Sequence, residues 1–131
     1  MRPPEKVRNE ALWIKQCRKI RARAEDLLDG RIGILEAARV LSSLATWTYA
    51  EDDPDLGVFS RIDDAGRYLP LGAVRSRWSE RALEREDLKL RELEEKWRPS
   101  AVEAARNLAA RYAWSLVARA ELRAKGHSDA V

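Results

Sequence analysis

Apolar positions recur at helical spacing over most of this chain. Between residues 5 and 29, Val7, Ala11, Ile14, Cys17, Ala24, Leu27 and Leu28 fall on one stripe, with Trp13 beside it and Ile20 widening it. Pro3 and Pro4 precede the stretch and Gly30 follows it, which is the punctuation of a helix. A second helix is predicted near 34–48 from Ile34, Leu35, Ala37, Ala38, Leu41, Leu44 and Ala45. Charge nearly vanishes after Arg39, so this helix is expected to be buried on more than one side. Ser79 is a suitable N-cap for a third helix over 80–98, whose stripe of Leu83, Leu90, Leu93 and Trp97 is narrow. Pro99 predicts a break, and Ser100 with Glu103 matches a capping box. A fourth helix is therefore predicted over 100–125, with a wide Ala-rich apolar face, leaving 126–131 as a frayed tail.

The pattern changes between residues 49 and 78. Five of the chain's eleven glycines and prolines fall there: Pro54, Gly57, Gly66, Pro70 and Gly72. Two structures fit. Val58–Ile62 and Arg67–Leu69 could pair as a small β-hairpin around Asp63–Gly66, or the segment could be an irregular loop pinned by Phe59, Tyr68 and Leu71. The predicted fold is a single all-α domain over 1–131. It is an antiparallel bundle of about four helices, with a long ordered loop or hairpin inserted between the second and third.

Charge narrows the functional classes. The 131 residues include 25 Lys plus Arg and 22 Asp plus Glu, a formal net charge of +3. No window approaches the roughly 18 uncharged apolar residues of a membrane span. The near-balance argues against a uniformly basic nucleic-acid binder, and five Trp in a 45% hydrophobic chain argue against disorder. Cys17 is the only cysteine, so neither a disulfide nor a paired-cysteine zinc site is available. With a start that has no apolar signal core, this points to a cytoplasmic location.

Catalytic chemistry finds little footing. His127, the only histidine, stands four residues from the end, and no P-loop, Rossmann, GxSxG or HExxH pattern occurs. The reading is a non-enzymatic protein without catalytic residues, metal ligands or cofactors. The run Glu51-Asp52-Asp53-Pro54-Asp55 has the alternating start of a calcium loop. It then places Leu56 where a glycine is needed and Ile62 where a bidentate glutamate is needed.

That run is a better docking surface than a metal site. In this reading Glu51, Asp52, Asp53, Asp55, Asp63 and Asp64 make electrostatic contacts with another protein, with Phe59 and Tyr68 as aromatic anchors. Arg75 belongs to the same surface, unless it or Arg77 folds back onto the acids and neutralises them internally. One concrete version is an immunity-type inhibitor that occludes a basic toxin site.

Alternatives stay open. The first helix carries Lys15, Arg18, Lys19, Arg21 and Arg23, a basic face that could follow phosphates. An enzyme would need a pocket built from Asp63, Asp64 and Arg75. A homodimer could form along Leu83, Leu90 and Trp97. The five tryptophans read mainly as core, with Trp47 and Trp78 anchoring the two ends of the long segment.

Residues Glu51-Asp52-Asp53, Phe59, Ile62-Asp63, Leu69-Pro70, Gly72, Arg75 and Trp78, followed by a charged helix and an Ala/Arg-rich one, form a pattern. It resembles small bacterial proteins of uncharacterised function that carry an acidic EDD segment and an LPxGxxRxxW motif. The resemblance implies a bacterial stand-alone domain and brings no activity with it.

Overall fold

The computed structural model describes residues 1–124, which form five α-helices and no strand. Helix α1 spans Glu10–Leu28, α2 Ile34–Trp47, α3 Pro54–Ala65, α4 Glu80–Arg111 and α5 Trp114–Ala124. A 3-10 turn covers Gly72–Arg77. The all-α bundle expected from the apolar pattern is present, with its elements divided differently. The expected tail at 126–131 lies outside the described residues.

Helix α1 starts later than expected because Asn9 caps it, its Oδ1 accepting from the Leu12 amide at 3.0 Å. It ends in a Schellman turn. Gly30 takes φ +74°, and the Arg31 amide reaches back to the Asp26 carbonyl at 2.8 Å. Helix α2 then returns alongside α1. Its N-cap, Gly33, has no side chain to offer, and the cap is supplied from elsewhere: Glu94 of α4 accepts from the Leu35 amide at 3.1 Å.

The long segment is neither a hairpin nor an irregular loop over its first half. It holds a helix. Asp53 accepts from the Asp55 and Leu56 amides at 2.9 and 3.3 Å, and Pro54 occupies the first turn, where its missing N–H costs nothing. Leu56, Phe59 and Ile62, three residues apart, are buried on α2 and α4. Gly66 ends the helix where no side chain fits. A Cβ there would come within 2.6 Å of Leu35 Cδ1 and 2.8 Å of Leu93 Cδ2.

Pro99 does not break the chain either. It sits inside α4 on the exposed side, so the Glu95 carbonyl that loses its amide partner faces solvent. Ser100 and Glu103 are ordinary helical positions and not a capping box. The break comes at Tyr112 and Ala113 instead. There the chain turns so that Trp114 stacks on Trp13, ring centroids 5.2 Å apart, and α5 packs on α1.

The core lies where α1, α2 and α3 meet the second half of α4. Cys17, Ile20, Leu35, Leu41, Phe59, Ile62, Ala105 and Leu108 are all wholly buried in it. Three of the five tryptophans contribute. Trp13 is buried and Trp97 and Trp114 are packed against the core. Trp47 and Trp78, expected to anchor the ends of the long segment, lie outside the core and are 72% and 37% exposed.

Candidate binding groove

The acidic segment is largely neutralised from within. Arg111, at the end of α4, donates from Nη2 to both Asp53 oxygens at 2.7 and 2.8 Å and to Asp55 Oδ2 at 2.8 Å. Asn107 donates to the other Asp55 oxygen at 3.1 Å. Asp64 pairs with Arg67 at 2.7 Å, and Asp63 lies 3.7 Å from Arg39 Nε. The internal neutralisation foreseen for Arg75 thus occurs with other arginines. Arg75 instead makes a two-pronged pair with Asp87 of α4, 2.8 Å on each side, and ties down the 3-10 turn. That bond holds the Asp87 carboxyl below its usual range.

Of the anticipated contact residues, Phe59 is corrected outright. It is wholly buried and cannot touch a partner. Asp53, Asp55, Asp63, Asp64 and Arg75 are brought into four separate ion-pair groups and not into one surface. They form no shared pocket with one another through those bonds. Glu51, Asp52 and Tyr68 remain exposed, Tyr68 at 87%. The dimer line is also changed, since Leu90 and Trp97 pack against the core.

A different feature lies between α1 and α2. Helices α1 and α2 leave a groove between them, with a cavity of about 550 Å³ bordered by Lys19, Arg23, Arg39, Val40, Leu44 and Trp47. It continues past Gln16 and Trp47 into a smaller, more enclosed cavity of about 200 Å³. Val7, Leu12, Trp13 and Tyr49 line that end, and Arg8 borders it. No carboxylate occurs among the lining residues of either part.

The sequence builds this groove from two stripes. On α1, Asn9, Leu12, Gln16, Lys19 and Arg23 follow one another at alternating steps of three and four, which is one straight ridge. On α2, Val40, Leu44 and Trp47 do the same. As the lack of charge after Arg39 predicts, α2 is buried on more than one side, against α1, α3 and α4. Its remaining face is apolar and open, with Val40 38% and Trp47 72% exposed. An uncharged helix face at the surface was the signal that could have located the groove.

Two features hold its shape. Arg39 Nη2 donates to the Gly66 and Leu69 carbonyls at 2.9 and 2.7 Å, clamping the end of α3 to α2. Tyr49 follows α2 at φ +55°, the left-handed conformation where glycine is the default. The Ala50 amide closes that turn on the Ala45 carbonyl at 2.8 Å. A tyrosine kept in this conformation costs about 1–2 kcal/mol. It places its ring at the enclosed end of the groove, with Lys6 Nζ 5.9 Å from the ring centre.

No protein family, curated protein or solved structure compared with this chain matches it at a significant level. No helix among the described residues is long and apolar enough to cross a membrane.

Proposed function

We propose that this chain is a non-enzymatic interaction module that captures another protein in the α1–α2 groove. One observation carries the reading: an open cleft lined by Val40, Leu44 and Trp47, whose lining also includes Lys19, Arg23 and Arg39 and no carboxylate. Exposed tryptophan beside arginine is the composition of interface hot spots. A bacterial, cytoplasmic setting belongs to the proposal, on the strength of the sequence resemblance and the lone Cys17.

Docking through the acidic segment has less support. Asp53 and Asp55 are already committed to Arg111, so a basic partner would compete with a bond of 2.7–2.8 Å. Glu51, Asp52 and Tyr68 are what that surface keeps for an inhibitor-type contact.

The test is a photo-crosslinking amino acid placed in cells at Ser43, which borders the groove, and in parallel at Asp52. A protease-sensitive adduct at Ser43 that disappears with Trp47→Ser is the expected result. Adducts at Asp52 with none at Ser43 would move the function back to the acidic segment.

A further inference from the structure

We infer that the occupant of the groove is an acidic amphipathic helix of the partner, an inference that rests on the protein-binding reading above. The α1 wall from Asn9 to Arg23 runs about 21 Å at 1.5 Å per residue. That matches four turns of a second helix. Its 3-and-4 spacing gives a ridge parallel to the helix axis, the geometry against which another helix packs at a shallow angle. A helix satisfies its own backbone, so it can cover the apolar lining of Leu12, Leu44 and Trp47 without leaving amides unpaired.

The charges decide the sign of the occupant and its orientation. Lys19, Arg23 and Arg39 cluster at the end of the groove near the α1–α2 connector, while Val7, Leu12, Trp13 and Tyr49 line the enclosed end with Arg8 on its lip. The matching ligand carries a bulky apolar side chain at one end and carboxylates two to three turns away. Arg23 is already bonded to Asp26 at 2.9 Å, and Arg39 is engaged with carbonyls and lies 3.7 Å from Asp63. Lys19 has no ion pair among the described residues. One or two carboxylates suit such a site. A nucleic-acid strand does not, because its affinity grows with a run of free cations.

Selection of displayed helical peptides of about 18 residues on the intact protein, with Trp47→Ser as counter-target, tests this. Trp47 is 72% exposed, so its replacement leaves the melting curve in place as a folding control. The expected outcome is Trp47-dependent enrichment of peptides with an apolar anchor and surplus acid. Lys19→Glu then weakens a selected peptide by about tenfold at low salt, and a Glu-to-Lys exchange in the peptide restores binding. Trp47-dependent peptides without surplus acid would overturn the acidic occupant and leave the groove's role intact. No Trp47-dependent enrichment would overturn both. Trp47-dependent binding of a labelled fifteen-nucleotide oligo-dT, with none of the peptides, would assign the groove to single-stranded nucleic acid.

Discussion

Phe59 and Tyr68 stand nine positions apart and meet opposite environments, the first wholly buried and the second 87% exposed. Truncating Phe59 removes a ring from the junction of α2, α3 and α4. Phe59→Ala is therefore expected to lower stability by about 3–5 kcal/mol, and Tyr68→Ala by less than about 0.5 kcal/mol, as read from urea unfolding midpoints. Equal losses would mean that α3 is not packed as described. The two aromatics look alike in sequence, since each neighbours acids and breakers. What separates them is register. Leu56, Phe59 and Ile62 repeat every third residue behind an Asp-Pro start, which is a helix signature. The glycines at 57 and 66 masked it, because their count suggested turns. Only the fold shows that Gly66 is a point of contact, with Leu35 and Leu93 pressed where a Cβ would be. Gly66→Ala should accordingly cost about 1–3 kcal/mol through overpacking.

At the scale of elements, helix identity was more legible than helix ends. Helix α2 and the end of α1 fall close to their expected positions because Gly30 and Gly33 punctuate them, whereas α1 begins five residues late, behind the Asn9 cap. Pro99 misled because a proline's cost depends on which side of the helix it occupies, and sequence spacing alone does not say that a bare carbonyl faces water. Replacing it tests the point. Pro99→Ala restores an amide to α4 at an exposed position and is expected to stabilise the protein by about 2 kcal/mol, after allowance for the looser unfolded chain. A loss of stability would show that the proline shapes α4. The end of α2 offers the complementary case. Tyr49→Gly relieves a left-handed tyrosine and should stabilise by about 1 kcal/mol. The same change strips the enclosed end of the groove, so affinity for a groove peptide should fall. That pairing of gained stability with lost binding is the mark of strain kept at a functional site.

Across the whole molecule, the net charge of +3 averages unlike regions. The groove lining is free of carboxylates, while most acids of the 51–64 segment are held by Arg111, Arg39 and Arg67. Sequence could show that bases gather on the first helix and acids in the long segment. It could not show that the acids are answered by arginines up to 58 positions away. The same placement sets how stability depends on pH. Asp87 is held below its usual range, first by its hydrogen bonds to Arg75. Its contribution is complete above the unfolded carboxyl value of about 3.9 and is lost as pH falls through the lower folded value. Asp87→Asn should therefore flatten the acid side of a melting-temperature profile. At the other extreme, burial pushes the Cys17 thiol up to about 12, and burial likewise raises Tyr112 to about 12. Both groups stay protonated in the folded state at pH values where the unfolded chain has released its protons. Their stabilising effect is complete below the unfolded values of about 8.5 and 10 and is lost as pH rises towards 12. Each contributes a slope of about 1.4 kcal/mol per pH unit across its own window. Cys17→Ala should remove the decline between about pH 8.5 and 10 and halve its slope above about 10, where Tyr112 supplies the rest. An unchanged alkaline limb would mean that the thiol at the centre of α1 is not sealed from water.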